Sequence, residues 1–324
     1  MPYWKRLIES IQNNEKSLLE TFKQVFLITM YEIVSVPQNA YDVTEQLGTK
    51  FKFWFSDVDR QQKLFKQGRP GTGENWAEKV CCELAHIIGI PHAKYDFASW
   101  QGNLGIITPS IVAEGERLVL GNEIISPKTK NTGYANKHHL VRKLTSFLKL
   151  PIVKPPFGFD NVEELNANEV FIGYLMLDAL VGNTDRHDEN WGVILSSRGF
   201  ELAPTYDHAS SLGRELSNEV KRRRLNTKDT NFSVAAYASK ARSALYETSE
   251  DSGPLSTLNA FIKVGATSLS GKYYWLKNLE KINKDSINHI LIQIPDAIMS
   301  PESKDFAHEL ILFNKERLEE TSSA

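Results

Sequence analysis

A change of pattern across residues 177–195 constrains this chain more than any other sequence feature. An apolar helical pattern stops at Gly182, a dense polar loop follows, and a β-like apolar run begins at Trp191. Polar loops held between regular elements are where proteins tend to place their chemistry, because the flanking scaffold fixes the side chains. The segment therefore predicts a helix–loop–strand unit that presents a functional loop.

The spacing of three polar residues indicates what that loop does. Asp185 and Asn190 are five positions apart, and Asp207 follows Asn190 by seventeen, just after a second strand-like run. Phosphoryl transfer requires positioning and charge neutralisation, which an Asp base and oxygen ligands for Mg²⁺ supply. The spacing predicts Asp185 as the catalytic base and Asn190 and Asp207 as magnesium ligands. The ordinary alternative is a loop whose Asx side chains only cap backbone groups.

His187 lies inside the same loop and has two interpretations. Its imidazole has a pKa suited to a general base. The five-residue spacing from Asp185 to Asn190 is instead that of the protein-kinase catalytic loop, which assigns the base to Asp185 and makes His187 a residue that organises the loop. The second interpretation is favoured.

The N-terminal part contains a candidate nucleotide-binding set. Residues 48–55 alternate like a strand with two faces, and a turn-rich stretch leads into a helix over about 75–88. We expect Lys52 on the strand to pair with the nucleotide phosphates and Glu78 on the helix to orient it. Thr72 and the backbone N–H groups around it are expected to reach the phosphates as well. Lys50, on the same strand face, stays an alternative to Lys52.

The distribution of patterns predicts an α+β, bilobal protein-kinase-like fold with a small β-rich N-lobe and a larger helical C-lobe. Residues 1–120 form the N-lobe, with N-terminal helices, the lysine strand and one internal helix. Residues 121–324 form the C-lobe, with the catalytic loop and the metal-binding Asp. The sequence has no repeat and no long linker, which favours one bilobal unit.

Composition excludes some classes of partner. The net charge is −2 and hydrophobic residues make up 41% of the chain, so neither direct nucleic-acid binding nor a membrane partner is indicated. Cys81 and Cys82 are adjacent and suit a reducing compartment, and the N-terminus does not resemble a cleavable signal. We expect a cytoplasmic protein, with delivery out of the cell by another route left open. The basic run 221–224 is either a solvated face or a site for an acidic or phosphorylated partner or RNA.

Two motifs carry a family resemblance. The run Gly182-Asn-Thr-Asp-Arg-His-x-x-Asn, followed by Leu202-Ala-Pro-x-Tyr-Asp, resembles the HipA-like protein kinases. The resemblance implies an ATP- and Mg²⁺-dependent serine/threonine protein kinase capable of autophosphorylation. It also implies a toxin whose partner is a DNA-binding antitoxin. The chain is shorter than the long HipA toxins, and we expect it to lack their extra N-terminal subdomain. Short stand-alone relatives, including kinases delivered into other cells, fit that length.

Two rival functions remain open from the sequence. The order Asp-Arg-His at 185–187 also occurs in lipid kinases, so a small-molecule or lipid kinase of the same fold is an alternative. A nucleotide-binding pseudokinase that regulates a partner by shape is another. The presence of all three predicted catalytic residues favours an active enzyme.

Overall fold

The computed structural model describes residues 30–40, 43–44, 51–125, 139–160 and 164–323. The strands are β1 Ile33–Ser35, β2 Val43–Thr44, β3 Lys52–Ser56, β4 Gln62–Lys66, β5 Asp96–Trp100, β6 Asn103–Pro109, β7 Arg117–Leu120, β8 Val153–Lys154, β9 Gly192–Ser196 and β10 Gly199–Leu202. The α-helices are α1 Glu74–Ile88, α2 Gly121–Ile125, α3 Val141–Leu148, α4 Ala167–Val181, α5 Asn218–Asn226, α6 Val234–Ala238, α7 Thr257–Gly265, α8 Leu269–Leu279, α9 Lys284–Ile292 and α10 Pro301–Glu320. The predicted N-terminal helices and Lys50 lie outside the described residues.

The N-terminal lobe is a six-stranded sheet with one helix packed on it. The strand order is β1-β5-β6-β4-β3-β2. The alternation of β3 places Phe53 and Phe55 on one face, where they pack with Phe65 of β4 into a small core of their own. Helix α1 packs against β5 and β6, next to the lysine-bearing strands. The predicted strand with two faces is therefore confirmed.

Helix α4 is the centre of the C-terminal lobe. Its residues are apolar on all sides and nearly all buried, as expected for a helix surrounded by protein. Helices α7, α8 and α10 pack around it. Asn166 and Glu169 form a capping box at its start, and Gly182 ends it in the left-handed conformation at φ 65°. The predicted catalytic loop thus leaves from the end of a helix that is buried almost throughout.

A second sheet connects the loop to the rest of the lobe. Its order is β7-β9-β10-β8, and β9 and β10 form an antiparallel hairpin. Strand β7 pairs with β9. The predicted N-lobe, residues 1–120, therefore includes a strand that hydrogen bonds within the sheet of the other lobe. No helix in the described ranges is long and apolar enough to cross a membrane.

Candidate active site

An ion pair at the end of α4 holds the predicted catalytic loop. Arg186 is 1% exposed, and its Nε and Nη2 donate to the two carboxylate oxygens of Asp178 at 2.6 and 2.7 Å. Its Nη1 donates to the carbonyl oxygen of Asn190 at 3.0 Å. The buried guanidinium bonds to Asp178 on the helix and to Asn190 near the other end of the loop. It therefore fixes the loop at both ends. Sequence reasoning missed both Asp178 and Arg186, because nothing in the spacing shows that a helix residue pairs with the loop.

His208 joins this network from the segment after β10. Its Nε2 lies 3.0 Å from Nη2 of Arg186 and 2.9 Å from Oγ1 of Thr205. Burial lowers the pKa of His208 well below its usual value, and the positive charge of Arg186 acts in the same direction. The imidazole is therefore neutral, Nε2 accepts from Arg186, and the proton sits on Nδ1. The segment that carries Asp207 is tied to the catalytic loop in this way.

Asp185 and Asn190 face each other across a tight loop. Nδ2 of Asn190 donates to the carbonyl oxygen of Asp185 at 2.5 Å, and Asn190 is 6% exposed. The backbone N–H of Asp185 donates to Oδ1 of Asn183 at 3.1 Å. The carboxylate of Asp185 is half exposed and open to a second molecule. His187 accepts a hydrogen bond from the N–H of Glu189, which is a loop-organising contact.

A lysine joins the two lobes at the predicted metal ligand. Nζ of Lys66, at the end of β4, lies 3.1 Å from Oε1 of Glu78 and 3.0 Å from Oδ1 of Asp207. Burial alone would lower the pKa of Lys66, but the charges of Asp207 and Glu78 outweigh it and raise the pKa well above its ordinary value. Burial acts to raise the pKa of Glu78, and the positive charge of Lys66 opposes this effect. The lysine is a fixed cation at the junction of the lobes.

Backbone contacts hold Asp207 in an unusual conformation. Its φ is 60°, in the left-handed region that residues other than glycine adopt infrequently. Its N–H donates to the hydroxyl of Tyr95 at 3.2 Å, and the next N–H, of His208, donates to Oε2 of Glu78 at 2.8 Å. Strain of this kind persists where the surroundings over-determine the backbone, and it is concentrated at functional sites.

Solved structures resemble this arrangement as a whole. No protein-family model and no curated protein matches the sequence. The proinflammatory kinase CtkA of Helicobacter pylori has a TM-score of 0.62 at 17% identity, with 90% of this chain and 100% of that chain covered. HipA of Shewanella oneidensis MR-1, solved with HipB and its operator DNA, has a TM-score of 0.54 at 14% identity, with 93% of this chain and 70% of that chain covered. The chain has the fold of the HipA-like kinases. The predicted bilobal α+β class is confirmed.

The structure corrects one ion pair of the predicted site, whereas the lysine that contacts phosphate stays a prediction. The sequence pattern favours Lys52 as the partner of Glu78, and this is wrong, because Lys66 makes that ion pair. The two lysines are directly opposite each other on antiparallel strands, so they share a face of the sheet. Lys66 lies one strand closer to β6 and to α1, which brings its ammonium within reach of Glu78. The sequence analysis did not recognise residues 62–66 as a strand, although this strand directly precedes the turn and helix α1.

Thr72 lies in the turn between β4 and α1 of the HipA-like fold. Its hydroxyl donates to the carbonyl oxygen of Arg69 at 2.8 Å, and its N–H bonds to the same oxygen at 3.1 Å. The side chain therefore closes the turn. A contact of Thr72 with phosphate stays a prediction.

The donor set fits a magnesium ion that is shared with phosphate. Within the described ranges, no group of three or more His, Cys, Asp or Glu side chains converges as a metal cage. Asn190 and Asp207 supply one amide and one carboxylate. Mg²⁺ is usually bound by few protein oxygens and completed by phosphates and water, so such a sparse set is the expected one.

The basic run 221–224 makes several contacts within the chain, although Arg222 and Arg223 are exposed. Lys221 is 2% exposed and donates to Oγ of Ser303, and Arg224 stacks on Phe232 and Tyr237. Arg222 pairs with Glu302. Arg222 and Arg224 line a cleft of about 690 Å³ together with the acidic side chains Glu302, Asp305 and Glu309. These contacts favour a structural role over a site for an acidic partner.

Proposed function

We propose that this chain is an ATP- and Mg²⁺-dependent phosphotransferase that phosphorylates a serine or threonine hydroxyl of a protein. One observation carries the proposal: Lys66 is ion-paired at once with Glu78 from the helix of the N-lobe and with Asp207 from the C-lobe. A Lys–Glu pair beside a metal-binding Asp is the arrangement that protein kinases need in place for phosphoryl transfer.

Each residue of the site then has a role. Lys66 would hold the α- and β-phosphates as a fixed cation, and Glu78 keeps it oriented. Asn190 and Asp207 would hold the magnesium ion, which when bound neutralises charge on the phosphate oxygens. Asp185, half exposed at the end of its loop, accepts the proton of the acceptor hydroxyl.

The protein acceptor rests on two supports. CtkA is described as a kinase, and HipA as part of a toxin–antitoxin system. A serine hydroxyl also fits beside the base, since Oγ of Ser210 lies 3.4 Å from Oδ2 of Asp185. We extend the proposal to self-phosphorylation, because a tethered hydroxyl has an effective concentration on the order of millimolar.

The same comparison supports a proposal for the partner. The HipA structure contains HipB and operator DNA, so we propose a DNA-binding antitoxin as partner of this chain. A helix-turn-helix protein encoded beside it that binds the purified chain would support this. A chain that acts in another cell as a delivered effector would have no such neighbour.

The test compares wild type with Asp185→Asn after incubation with Mg²⁺-ATP. We expect intact mass spectrometry to show an added phosphate on the wild type and none on the variant, with ATP affinity changed by no more than about threefold, because the base acts on the acceptor. Equal labelling of the two proteins would contradict the role of Asp185. Transfer to an added sugar or lipid, with protein acceptors left unmodified, would contradict the protein-kinase proposal.

A further inference from the structure

Arg214 attaches the segment after Asp207 to the first turn of helix α1. Glu74, the first residue of α1, is 2% exposed and receives two guanidinium groups on Oε1, from Arg214 and from Arg69. The backbone N–H of Gly73 also donates to the carbonyl oxygen of Arg214 at 2.9 Å. Side chain and main chain of Arg214 therefore contact the helix that carries Glu78.

The other arm of the same guanidinium points to the catalytic base. Nη2 of Arg214 donates to Oγ of Ser210 at 3.1 Å, and this hydroxyl donates to Oδ2 of Asp185 at 3.4 Å. A serine hydroxyl has one proton to give and lone pairs to accept with, so both contacts are compatible. A continuous set of polar contacts runs from Glu74 through Arg214 and Ser210 to Asp185.

The backbone between Asp207 and Arg214 is shaped to make these contacts. Leu212 has φ 58° and Gly213 has φ 66°, in addition to the positive φ of Asp207. The buried Leu212 donates its N–H to the carbonyl oxygen of Val181, and the N–H of Thr184 donates to that of Ser210. A leucine in this region costs on the order of 1 kcal/mol or more, so the surroundings must impose it. The segment is therefore held against the catalytic loop, and Arg214 is its connection to α1.

We propose that Arg214 is a positioning residue, which through Ser210 orients the carboxylate of Asp185 relative to helix α1. This inference rests on the proposed function. Among the contacts of the described residues, the Arg214 side chain bonds to Glu74 and Ser210, and none joins it to Lys66 or Glu78, so we expect its loss to act on the base more than on nucleotide binding. Misplacement of a reacting group by about 1 Å can cost on the order of a hundredfold in rate.

The experiment measures ADP release from Mg²⁺-ATP with casein as a generic acceptor, and the Kd of Mg²⁺-ATP by calorimetry. Arg214→Ala should lower kcat by about 10- to 100-fold while the Kd changes by less than about threefold. Arg214→Lys should restore part of the rate. Arg69→Ala is the matched control, because the Arg69 guanidinium contacts the same oxygen of Glu74 but not Ser210, and its kcat should fall less than that of Arg214→Ala.

A purely structural role is separated by a double-mutant cycle. If Arg214 acts through Ser210, the variant Arg214→Ala/Ser210→Ala should be no slower than the slower single variant, whereas independent effects would multiply. Multiplying effects, or equal losses in Arg214→Ala and Arg69→Ala, would overturn the positioning role. A wild-type chain without turnover would overturn the proposed function and this role with it. An active wild type with an unaffected Arg214→Ala variant would overturn the role alone.

Discussion

At the scale of single residues, the site depends on which of two neighbouring lysines reaches the acidic groups. Lys52 and Lys66 have the same side-chain chemistry and lie on the same face of the sheet. Their difference is one strand spacing, about 5 Å, relative to helix α1. An ion pair needs its nitrogen and oxygen within about 4 Å, so this displacement is enough to select Lys66.

A matched pair of variants can test whether Lys66 or Lys52 binds the nucleotide. Lys66→Met should weaken Mg²⁺-ATP binding by about tenfold or more and abolish measurable transfer, because it removes the cation and leaves Glu78 buried without it. Lys52→Met should bind nucleotide within about threefold of wild type. Isothermal titration calorimetry measures both. A larger loss in Lys52→Met than in Lys66→Met would return the phosphate-binding role to Lys52.

At the scale of elements, the hairpin β9–β10 brings the two proposed metal ligands to one end of the second sheet. Asn190 lies two residues before β9, and Asp207 lies five residues after β10. The strands are antiparallel, and Val193 is paired with Leu202, so the start of β9 and the end of β10 coincide. The hydroxyl of Tyr206 donates to the carbonyl oxygen of Glu189 at 3.1 Å and ties the two flanking segments together.

Removal of either proposed magnesium ligand should therefore weaken the same property, the Mg²⁺-dependent binding of ATP. Asn190→Ala and Asp207→Ala should each weaken ATP binding in the presence of Mg²⁺ by about tenfold, since each removes an oxygen ligand from an ion that bridges phosphates. In EDTA the same variants should bind ATP much as wild type does. Affinity and turnover that stay at wild-type values in both variants would place the metal elsewhere.

At the scale of the whole molecule, a buried histidine couples stability to pH. His139 is 3% exposed, and its Nε2 accepts from Nε1 of Trp191 at 3.0 Å. Burial lowers the pKa of His139 from 6.5 to about 4. The unfolded chain therefore takes up a proton below pH 6.5 that the folded chain does not bind until about pH 4.

The free energy of unfolding should consequently fall as the pH drops from 6.5 towards 4. A shift of this size corresponds to a contribution on the order of 3 kcal/mol, present above pH 6.5 and lost across the window. The variant His139→Gln keeps an acceptor for Trp191. Its free energy of unfolding should fall less over this pH range than that of wild type, by up to about 3 kcal/mol. Urea titrations of both proteins at several pH values measure the difference. Parallel curves would mean that His139 binds its proton at the same pH in the folded and the unfolded protein.

The sequence by itself determined several elements and named the candidate residues of the loop. Periodicity was sufficient for the two-faced strand at Phe53 and Phe55 and for the helix that carries Glu78, because alternation and helical spacing are local properties. The break at Gly182 and the spacing from Asp185 to Asn190 are also local, and they located the candidate catalytic loop.

Only the tertiary structure decided which side chains meet. The pairs Lys66–Asp207 and Arg214–Glu74 join residues 141 and 140 positions apart. Arg186 finds its partner Asp178 in a buried helix whose other residues are almost all apolar. Such contacts depend on how sheets and helices pack and on which charges are then removed from water, and a local pattern contains neither. The sequence therefore sufficed for the residues of the loop, whereas the lysine and the arginines around it required the packed lobes.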